Sequence, residues 1–279
     1  MTSAAAGRSL LAAAALVTAC SAAAPSAEVQ LPPVTGSFDY QLGGVDDTVG
    51  LAVVARDAAE EPMPGAYNVC YVNGFQSQPG EGDRWLQRYG QAVLRDADGM
   101  PVTDPDWPAE YVLDPSTEAQ REVILGALGP LISDCADKGF DAVEIDNFDT
   151  FTRFSDPATG RIEEAGAIDL ARSFAALAHG HGLAIGQKNA AESTGTGRRD
   201  VGFDFAVAEE CAAYRECDRY GQVYGPRVLQ IEYTDNLPAP FGEVCDSPDR
   251  APLTILRDRN LVAHGAAGYA YEQCPWGLR

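Results

Sequence analysis

The segment 139–149 (GFDAVEIDNFD) brings several carboxylates together in a stretch that has the pattern of a β-strand. Side chains alternate between the two faces of a strand, so Val143 and Ile145 share one face while Glu144 and Asp146 share the other. Two carboxylates on a buried face are costly unless they are paired or functional, and their repulsion raises the pKa of one of them. The pattern therefore predicts acid–base or nucleophilic chemistry, with Asp146 as the first catalytic candidate.

Polar residues also follow the other strand-like runs, and most of them are carboxylates or amides. The candidate catalytic and substrate-binding residues are Gln41, Tyr71, Asn73, Asp114, Glu144, Asp146, Asp149, Lys188, Asn189, Glu209, Glu210 and Glu232. Aromatic residues, whose faces can stack on sugar rings, stand close to them at Tyr40, Tyr71, Phe75, Phe148 and Tyr233. Glycoside hydrolysis uses this combination, because one carboxylic acid protonates the leaving oxygen while a second carboxylate attacks or activates water.

Several of these residues also have a structural interpretation. Lys188 either balances the carboxylates or contacts a substrate hydroxyl, and Asn73 and Asn189 either bind sugar hydroxyls or fix loops. Asp149 either belongs to the site or caps the next helix, and a metal site made of Asp146 and Asp149 is the alternative chemistry. We expect no cofactor and no resident metal.

Strand-like and helix-like segments alternate along the chain, which predicts a parallel α/β fold. Apolar residues at helical spacing indicate helices at 117–135 and 167–179. The strand-like runs are Phe38–Leu42, Leu51–Val54, Asn68–Val72, Tyr111–Leu113, Ala142–Ile145, Ala184–Gln187, Phe203–Val207 and Val228–Ile231. Eight strands with no glycine-rich nucleotide loop favour a single (β/α)8 TIM barrel at 36–279 over an open doubly wound sheet.

Catalytic groups of such barrels lie where the strands end and the βα loops begin. Counted in chain order among these strand-like runs, Asp146 follows the fifth and Glu209 follows the seventh. The choice between Glu209 and Glu210 depends on strand parity. If Phe205 and Val207 face the helices, Glu210 points into the barrel, and it is therefore kept as the second choice.

The N-terminal residues have the pattern of an export signal. Leu10–Val17 (LLAAAALV) is a short apolar run after Arg8, and it leads into a VTAC sequence that resembles the lipobox of bacterial lipoproteins, where Cys20 is lipidated. A plain secretory signal is the alternative. We therefore expect a signal peptide at 1–19, a tether at 20–35, and an exported protein that is either a cell-envelope lipoprotein or secreted.

Six cysteines remain when Cys20 is set aside, and an even number in an oxidising compartment indicates disulfides. Their spacing favours Cys211–Cys217 and Cys245–Cys274 among the possible connectivities, which leaves Cys70–Cys135. A zinc site is the alternative interpretation, but the sequence contains no CxxC motif.

The composition narrows the range of partners. The 279 residues include 41 Asp+Glu against 20 Lys+Arg, for a formal net charge of −21, and 46% are hydrophobic. The hydrophobic content is enough for a sizeable core. The acidic balance disfavours nucleic acid and favours cations, including a positively charged substrate. We expect a monomer whose membrane contact, if any, is the lipid anchor.

Five segments, in order, resemble the successive motifs of glycoside hydrolase family 114. They are FDYQL (38–42), VCYVNG (69–74), GFDAVEIDNFD (139–149), GQKN (186–189) and AEEC (208–211). The resemblance covers roughly 36–274 and implies a TIM barrel of the endo-α-1,4-polygalactosaminidase type. It also implies a catalytic pair that matches Asp146 and Glu209, and a galactosamine-containing polymer, cationic when deacetylated, as substrate.

Three functions are compatible with these observations. The first is an exported glycoside hydrolase that cleaves α-1,4-linked galactosamine polymer. The second is a non-catalytic carbohydrate-binding lipoprotein built on the same barrel, since a fold does not fix a function. The third is a metal-dependent hydrolase that uses Asp146 and Asp149.

Overall fold

The computed structural model of the chain describes residues 1–2, 29–47 and 50–276. Residues 3–28, which hold almost all of the expected signal peptide, Cys20 and most of the expected tether, lie outside the described residues. Within the described ranges, no helix is long and apolar enough to cross a bilayer.

The chain folds into a nearly closed barrel of parallel strands. The strands are β1 Phe38–Gln41, β2 Val53–Asp57, β3 Tyr67–Asn73, β4 Ala142–Asp146, β5 Ser155–Asp156, β6 Gly160–Arg161, β7 Ala184–Lys188, β8 Phe205–Glu209, β9 Val228–Tyr233, β10 Leu253–Arg257 and β11 Tyr271–Gln273. The main sheet has the order β1-β2-β3-β4-β7-β8-β9-β10-β11, and β5 and β6 form a separate small hairpin. Strands β1–β4 and β7–β10 pair in parallel, and β11 runs antiparallel to β10. The expected TIM barrel is confirmed.

The helices lie between the central and later strands. They are α1 Gly82–Tyr89, α2 Glu118–Lys138, α3 Thr150–Arg153, α4 Glu164–Gly180, α5 Thr194–Thr196, α6 Cys211–Tyr214, α7 Cys217–Tyr224 and α8 Phe241–Asp246. The two long ones, α2 and α4, match the predicted helices. A reciprocal capping box between Thr117 and Gln120 begins α2, and Gly139, at a φ of 93°, ends it in the left-handed conformation that glycine adopts most easily.

Two of the strand assignments need correction. Tyr111–Leu113 is not a barrel strand, because its residues form isolated antiparallel bridges within the long loop after β3. The eighth parallel strand is instead β10, which the sequence analysis missed. Asp146 therefore ends the fourth parallel strand rather than the fifth, and Glu209 ends the sixth rather than the seventh.

Alternate positions of each strand build two apolar layers. The interior of the barrel is filled by a cluster that includes Phe38, Tyr40, Val69, Ala142, Ala184, Phe205, Val207 and Ile231. Val143 and Ile145 belong to the other layer, together with Ile124 of α2 and Phe174 of α4. The alternation predicted for the acidic strand is therefore correct, and it directs Glu144 and Asp146 to the interior side.

Three disulfides hold the loops and the last strand in place. They join Cys70 to Cys135, Cys211 to Cys217, and Cys245 to Cys274. These are the pairs that the sequence favoured. The first links β3 to α2, and the third links α8 to the residue after β11.

Charged side chains are buried where the barrel closes. Arg257 of β10 contacts Asp39 of β1 at 2.6 Å, and Asp39 accepts a hydrogen bond from Gln41, which in turn accepts one from Arg56. Arg56 also pairs with Asp47 at 2.7 Å. We call Asp39, Gln41, Arg56 and Arg257 the seam network. In the part of the chain that the structure describes, no helix follows β1, β2 or β10, so this network lies where a helical layer is missing.

Candidate active site

A single buried lysine at the mouth of the barrel contacts three carboxylates. The ammonium of Lys188 lies 3.0 Å from Glu144 Oε1, 3.3 Å from Asp146 Oδ1 and 3.2 Å from Glu209 Oε2. The four residues come from the adjacent strands β4, β7 and β8, whose carboxyl ends meet at the face where TIM barrels hold their chemistry. We call these four residues the carboxylate cluster. Lys188 is 2% exposed, so its ammonium is engaged by protein groups.

Tyrosine hydroxyls orient the three carboxylates. Each carboxylate accepts one such hydrogen bond: Tyr40 donates to Glu144 (2.6 Å), Tyr71 to Asp146 (2.6 Å) and Tyr233 to Glu209. These tyrosines were expected to stack on sugars. In the structure their hydroxyls fix the positions of the acids, from strands β1, β3 and β9.

Asparagines complete the support at the strand ends. The backbone N–H of Asn147 donates to Asp146 Oδ1 at 2.8 Å. Asn189 donates to Glu209 Oε2 at 3.1 Å and accepts from the Glu209 N–H at 2.9 Å. Both asparagines adopt the left-handed conformation, with φ of 63° and 48°, which Asn tolerates better than most residues. The backbone therefore turns sharply at two of the strand ends that form the cluster.

Asn73, an expected substrate contact, has its side chain engaged within the protein. Its Oδ1 accepts from the Gln76 N–H at 3.0 Å and from Asn147 Nδ2 at 3.1 Å, while its Nδ2 donates to Glu110 Oε2 at 3.0 Å. It is 1% exposed. Asn73 therefore connects the loop after β3 to the loop that follows β4, the acidic strand.

The electrostatics separate the roles of the acids. Burial alone would raise the pKa of Asp146, but the Lys188 ammonium and the hydrogen bond from Tyr71 outweigh burial and hold that pKa below its usual range. Burial raises the pKa of Glu144 to about 7 against the attraction of Lys188. Burial would lower the pKa of Lys188, yet the surrounding carboxylates raise it well above its usual value. Asp146 is thus kept ionised, as a nucleophile requires.

The two adjacent glutamates after β8 have different surroundings. Phe205 and Val207 line the barrel interior, so the assumption that favoured Glu210 is wrong, and Glu209 is the one that shares their face. Glu210 has a φ of 58° and forms a two-pronged ion pair with Arg259 at 2.8 and 2.7 Å. The Arg259 bonds outweigh burial and hold the pKa of Glu210 below its usual range.

Asp149 lies beside the cluster in an ion-paired group. Arg153 approaches Asp149 Oδ1 at 3.4 Å, contacts Asp104 at 2.6 Å and donates to Asn147 Oδ1 at 2.7 Å. Asp149 occupies the N-cap position of α3 without a capping hydrogen bond from its side chain. Burial raises the pKa of Asp149, against the attraction of Arg153.

Three expected substrate contacts lie away from the cluster. Gln41 belongs to the seam network, and Asp114 accepts hydrogen bonds at the start of α2. Glu232 is fully buried and bonded to a backbone N–H and a glutamine amide. Since Ile231 and Tyr233 face the barrel interior, Glu232 faces the other side of the sheet. These residues were selected because they follow strand-like runs, and that position alone does not show whether a side chain points into the barrel or away from it.

Two further groups have structural partners. Phe75 and Phe148, expected near a sugar, pack edge to face at 6.0 Å in the layer under the helices. Cys211, Cys217 and Glu232 form the one grouping of metal-ligand atoms found among the described residues. Because both sulfurs belong to a disulfide, this donor set does not suit a metal ion.

Glu110 is a candidate that the sequence analysis missed. It is partly buried in the long loop after β3, and burial together with repulsion from Asp146 and Asp104 raises its pKa to about 7. Because Glu110 lies in a loop, the alternation of apolar and polar residues that identifies strands and helices gives no indication of it. The available signal was an acid three residues after a tryptophan, Trp107, in a loop that follows a barrel strand.

Comparisons with known proteins agree with this architecture. The crystal structure of Aspergillus fumigatus Ega3 in complex with galactosamine has a TM-score of 0.68 and 22% identity, and covers 88% of this chain and 98% of that one. The glycoside hydrolase domain of PelA from Pseudomonas aeruginosa has a TM-score of 0.56 and 13% identity, and covers 83% of this chain and 98% of that one. At these identities the likeness shows the fold. A search among curated proteins found no match.

The family comparison covers nearly the whole sequence. The model of glycoside-hydrolase family GH114 matches residues 18–278. This range includes the barrel and every member of the carboxylate cluster, and the chain therefore belongs to glycoside-hydrolase family GH114.

Proposed function

We propose that the protein cleaves glycosidic bonds in an α-1,4-linked, galactosamine-containing polysaccharide, with Asp146 as nucleophile and Glu209 as general acid and base. The observation that carries the proposal is the shared contact of Lys188 with both carboxylates at the mouth of the barrel. In the first step Asp146 attacks the anomeric carbon while Glu209 gives a proton to the leaving oxygen. In the second step Glu209 takes a proton from water, which displaces the sugar from Asp146.

The spacing of the two acids favours retention of the anomeric configuration. Lys188 Nζ is 3.3 Å from the Asp146 oxygen and 3.2 Å from the Glu209 oxygen, so the two oxygens lie no more than about 6.5 Å apart. Retaining enzymes hold their carboxyl groups roughly 5–5.5 Å apart, whereas inverting enzymes need about 6.5–9.5 Å for a water molecule between them. The upper limit reaches only the lower end of the inverting range.

Charge and family support a cationic substrate. The chain carries a formal net charge of −21, which attracts a polymer of protonated amino sugars. The family match and the galactosamine-bound structural relative point to the same class of sugar.

We also propose that the protein is exported and acts outside the cytoplasm, with Cys20 as a lipid anchor. Three disulfides support an oxidising compartment. Metabolic labelling with a fatty-acid analogue, compared between the wild-type chain and Cys20→Ala, tests the anchor. Label that persists in Cys20→Ala would contradict it.

The enzymatic proposal is tested by incubating the protein with deacetylated galactosaminan and measuring released oligosaccharides. Asp146→Asn and Glu209→Gln should each lower kcat by about 10³-fold or more while the fold is retained. Glu210→Gln is the matched control, because Glu210 pairs with Arg259, and its kcat should stay near that of the wild type. A wild-type protein that binds the polymer without cleaving it would support the carbohydrate-binding alternative.

A further inference from the structure

An exposed tryptophan and a partly buried carboxylate stand together in the loop after β3. Trp107 is 53% exposed, one of few large apolar side chains on the described surface. The Glu110 N–H donates to the Trp107 carbonyl at 2.9 Å, so the two residues bound one tight turn. The loop belongs to the face of the barrel that carries the carboxylate cluster.

Glu110 is connected to the catalytic centre by hydrogen bonds. Asn73 donates to Glu110 and accepts from Asn147, whose backbone N–H holds Asp146. Within the described residues, Glu110 forms no ion pair, and its one side-chain hydrogen bond is to Asn73. Arg153, the cation that acts on Glu110, is bonded instead to Asp104 and approaches Asp149.

The turn is held rigidly from below. Asp104 is fully buried, accepts hydrogen bonds from Gln76 and Arg153, both at 2.6 Å, and binds the Asp106 N–H at 2.9 Å. The Asp104 N–H also donates to the Glu110 carbonyl at 3.0 Å. An exposed tryptophan on a braced turn loses little conformational entropy when a ligand covers it.

We propose that Trp107 and Glu110 form a subsite for an amino-sugar unit that flanks the cleaved bond, with the indole stacking on the sugar ring and the carboxylate binding its ammonium group. This assignment rests on the proposed function for the identity of the polymer. The ammonium would supply the positive partner that Glu110 lacks. It would also relieve the repulsion from Asp146 and Asp104 that helps to raise the pKa of Glu110.

The subsite is tested by calorimetric binding to the full chain carrying Asp146→Asn, which cannot turn the ligand over. The probes are deacetylated galactosamine oligomers and their N-acetylated counterparts. Adding Glu110→Gln should weaken binding of the cationic oligomers about tenfold and leave that of the N-acetylated oligomers within about twofold. Adding Trp107→Ala should weaken both kinds by about fivefold or more.

Two matched controls remove the same kinds of side chain elsewhere. Asp137→Asn deletes one exposed acid in the last turn of α2, at the opposite end of the barrel, and Trp276→Ala deletes an exposed tryptophan after β11. Both should bind like the parent. The subsite is refuted if Glu110→Gln affects both kinds of oligomer equally, if the controls have the same effect, or if the parent binds neither oligomer. Failure of wild-type hydrolysis with this binding pattern intact would refute the proposed function alone.

Discussion

The carboxylate cluster and the seam network both bury charge in the barrel, but they balance it differently. Each cation of the seam network has a carboxylate of its own: Arg257 faces Asp39 within the network, and Arg56 faces Asp47, an exposed acid beside it. In the carboxylate cluster, one lysine faces three acids. Glu144 Oε2 is buried there without a hydrogen-bond partner.

This difference in charge balance indicates a structural role for the seam network and a chemical role for the carboxylate cluster. Buried ion pairs with satisfied hydrogen bonds hold parts of a fold together, and removal of one partner is costly. Groups in excess of their partners have shifted pKa values, which are typical of active sites. The seam network therefore holds the barrel where helices are missing, whereas the carboxylate cluster holds the unequal charge that the proposed catalysis would use.

The sharpest test of this contrast is Lys188→Met. Without the ammonium, burial of Asp146 is no longer offset by the attraction of Lys188, so the pKa of Asp146 rises and its ionised form is disfavoured. We expect kcat on galactosaminan to fall by about 10²–10³-fold. Circular dichroism should show a retained barrel, and Lys188→Arg should recover part of the activity. Full activity of Lys188→Met would contradict the electrostatic role.

Arg257→Met should have the opposite outcome. It leaves Asp39 buried without its cation and also removes bonds to the backbone carbonyls of Ala270 and Val262. We expect the free energy of unfolding to fall by about 3–5 kcal/mol, measured by urea denaturation. The kcat per folded molecule should remain close to that of the wild type. A large loss of kcat without a loss of stability would end the distinction between the two regions.

The smallest expected effect concerns the pH dependence of stability. The pKa of Glu144 rises from 4.5 to about 7 on folding, so the folded state binds more protons than the unfolded state between these values. Its contribution to stability is full below about pH 4.5 and is lost as the pH rises through 7. Glu144→Gln should make this decline shallower, on the order of 2 kcal/mol between pH 5 and 8.

Urea denaturation across this pH range measures the slope. Glu164→Gln, which removes an exposed glutamate in the first turn of α4, is the control for a general effect of charge. Parallel curves for the wild type and Glu144→Gln would show that Glu144 does not titrate in this range.

Strand alternation within one segment was sufficient to direct Glu144 and Asp146 into the barrel, and the order of the family motifs selected Glu209 over Glu210. Local patterns were less informative about which strands pair. Tyr111–Leu113 has strand-forming residues, but its partners lie in its own loop. The sequence of β10 ends in Arg257, whose burial makes sense only beside Asp39, a residue 218 positions away.

The site residues supplied by loops were the hardest to predict. Glu110 lies in a loop, where no strand or helix periodicity marks it. Hydrogen bonds connect it to Asp146 through Asn73 and Asn147. Asn73 is 37 positions from Glu110 in the sequence, and Asn147 is 74 positions from Asn73. Glu232 faces the layer outside the barrel because its neighbours in β9, Ile231 and Tyr233, face the interior. The sequence alone did not show which face of this strand is the interior one. Both residues are glutamates, and only their positions in the fold show that Glu110 lies near Asp146 while Glu232 does not.

The closure of the barrel has a consequence for the order of folding. The bond from the Phe38 N–H to Gln273 joins residues 235 positions apart, and Tyr40 reaches Glu144 across 104 positions. Contacts that close such long loops form late, because the entropy of loop closure must be overcome before they add stability. The cluster gains its Tyr40 hydrogen bond only when β1 has docked, so catalytic competence should appear at the end of folding, after most of the helical structure has formed.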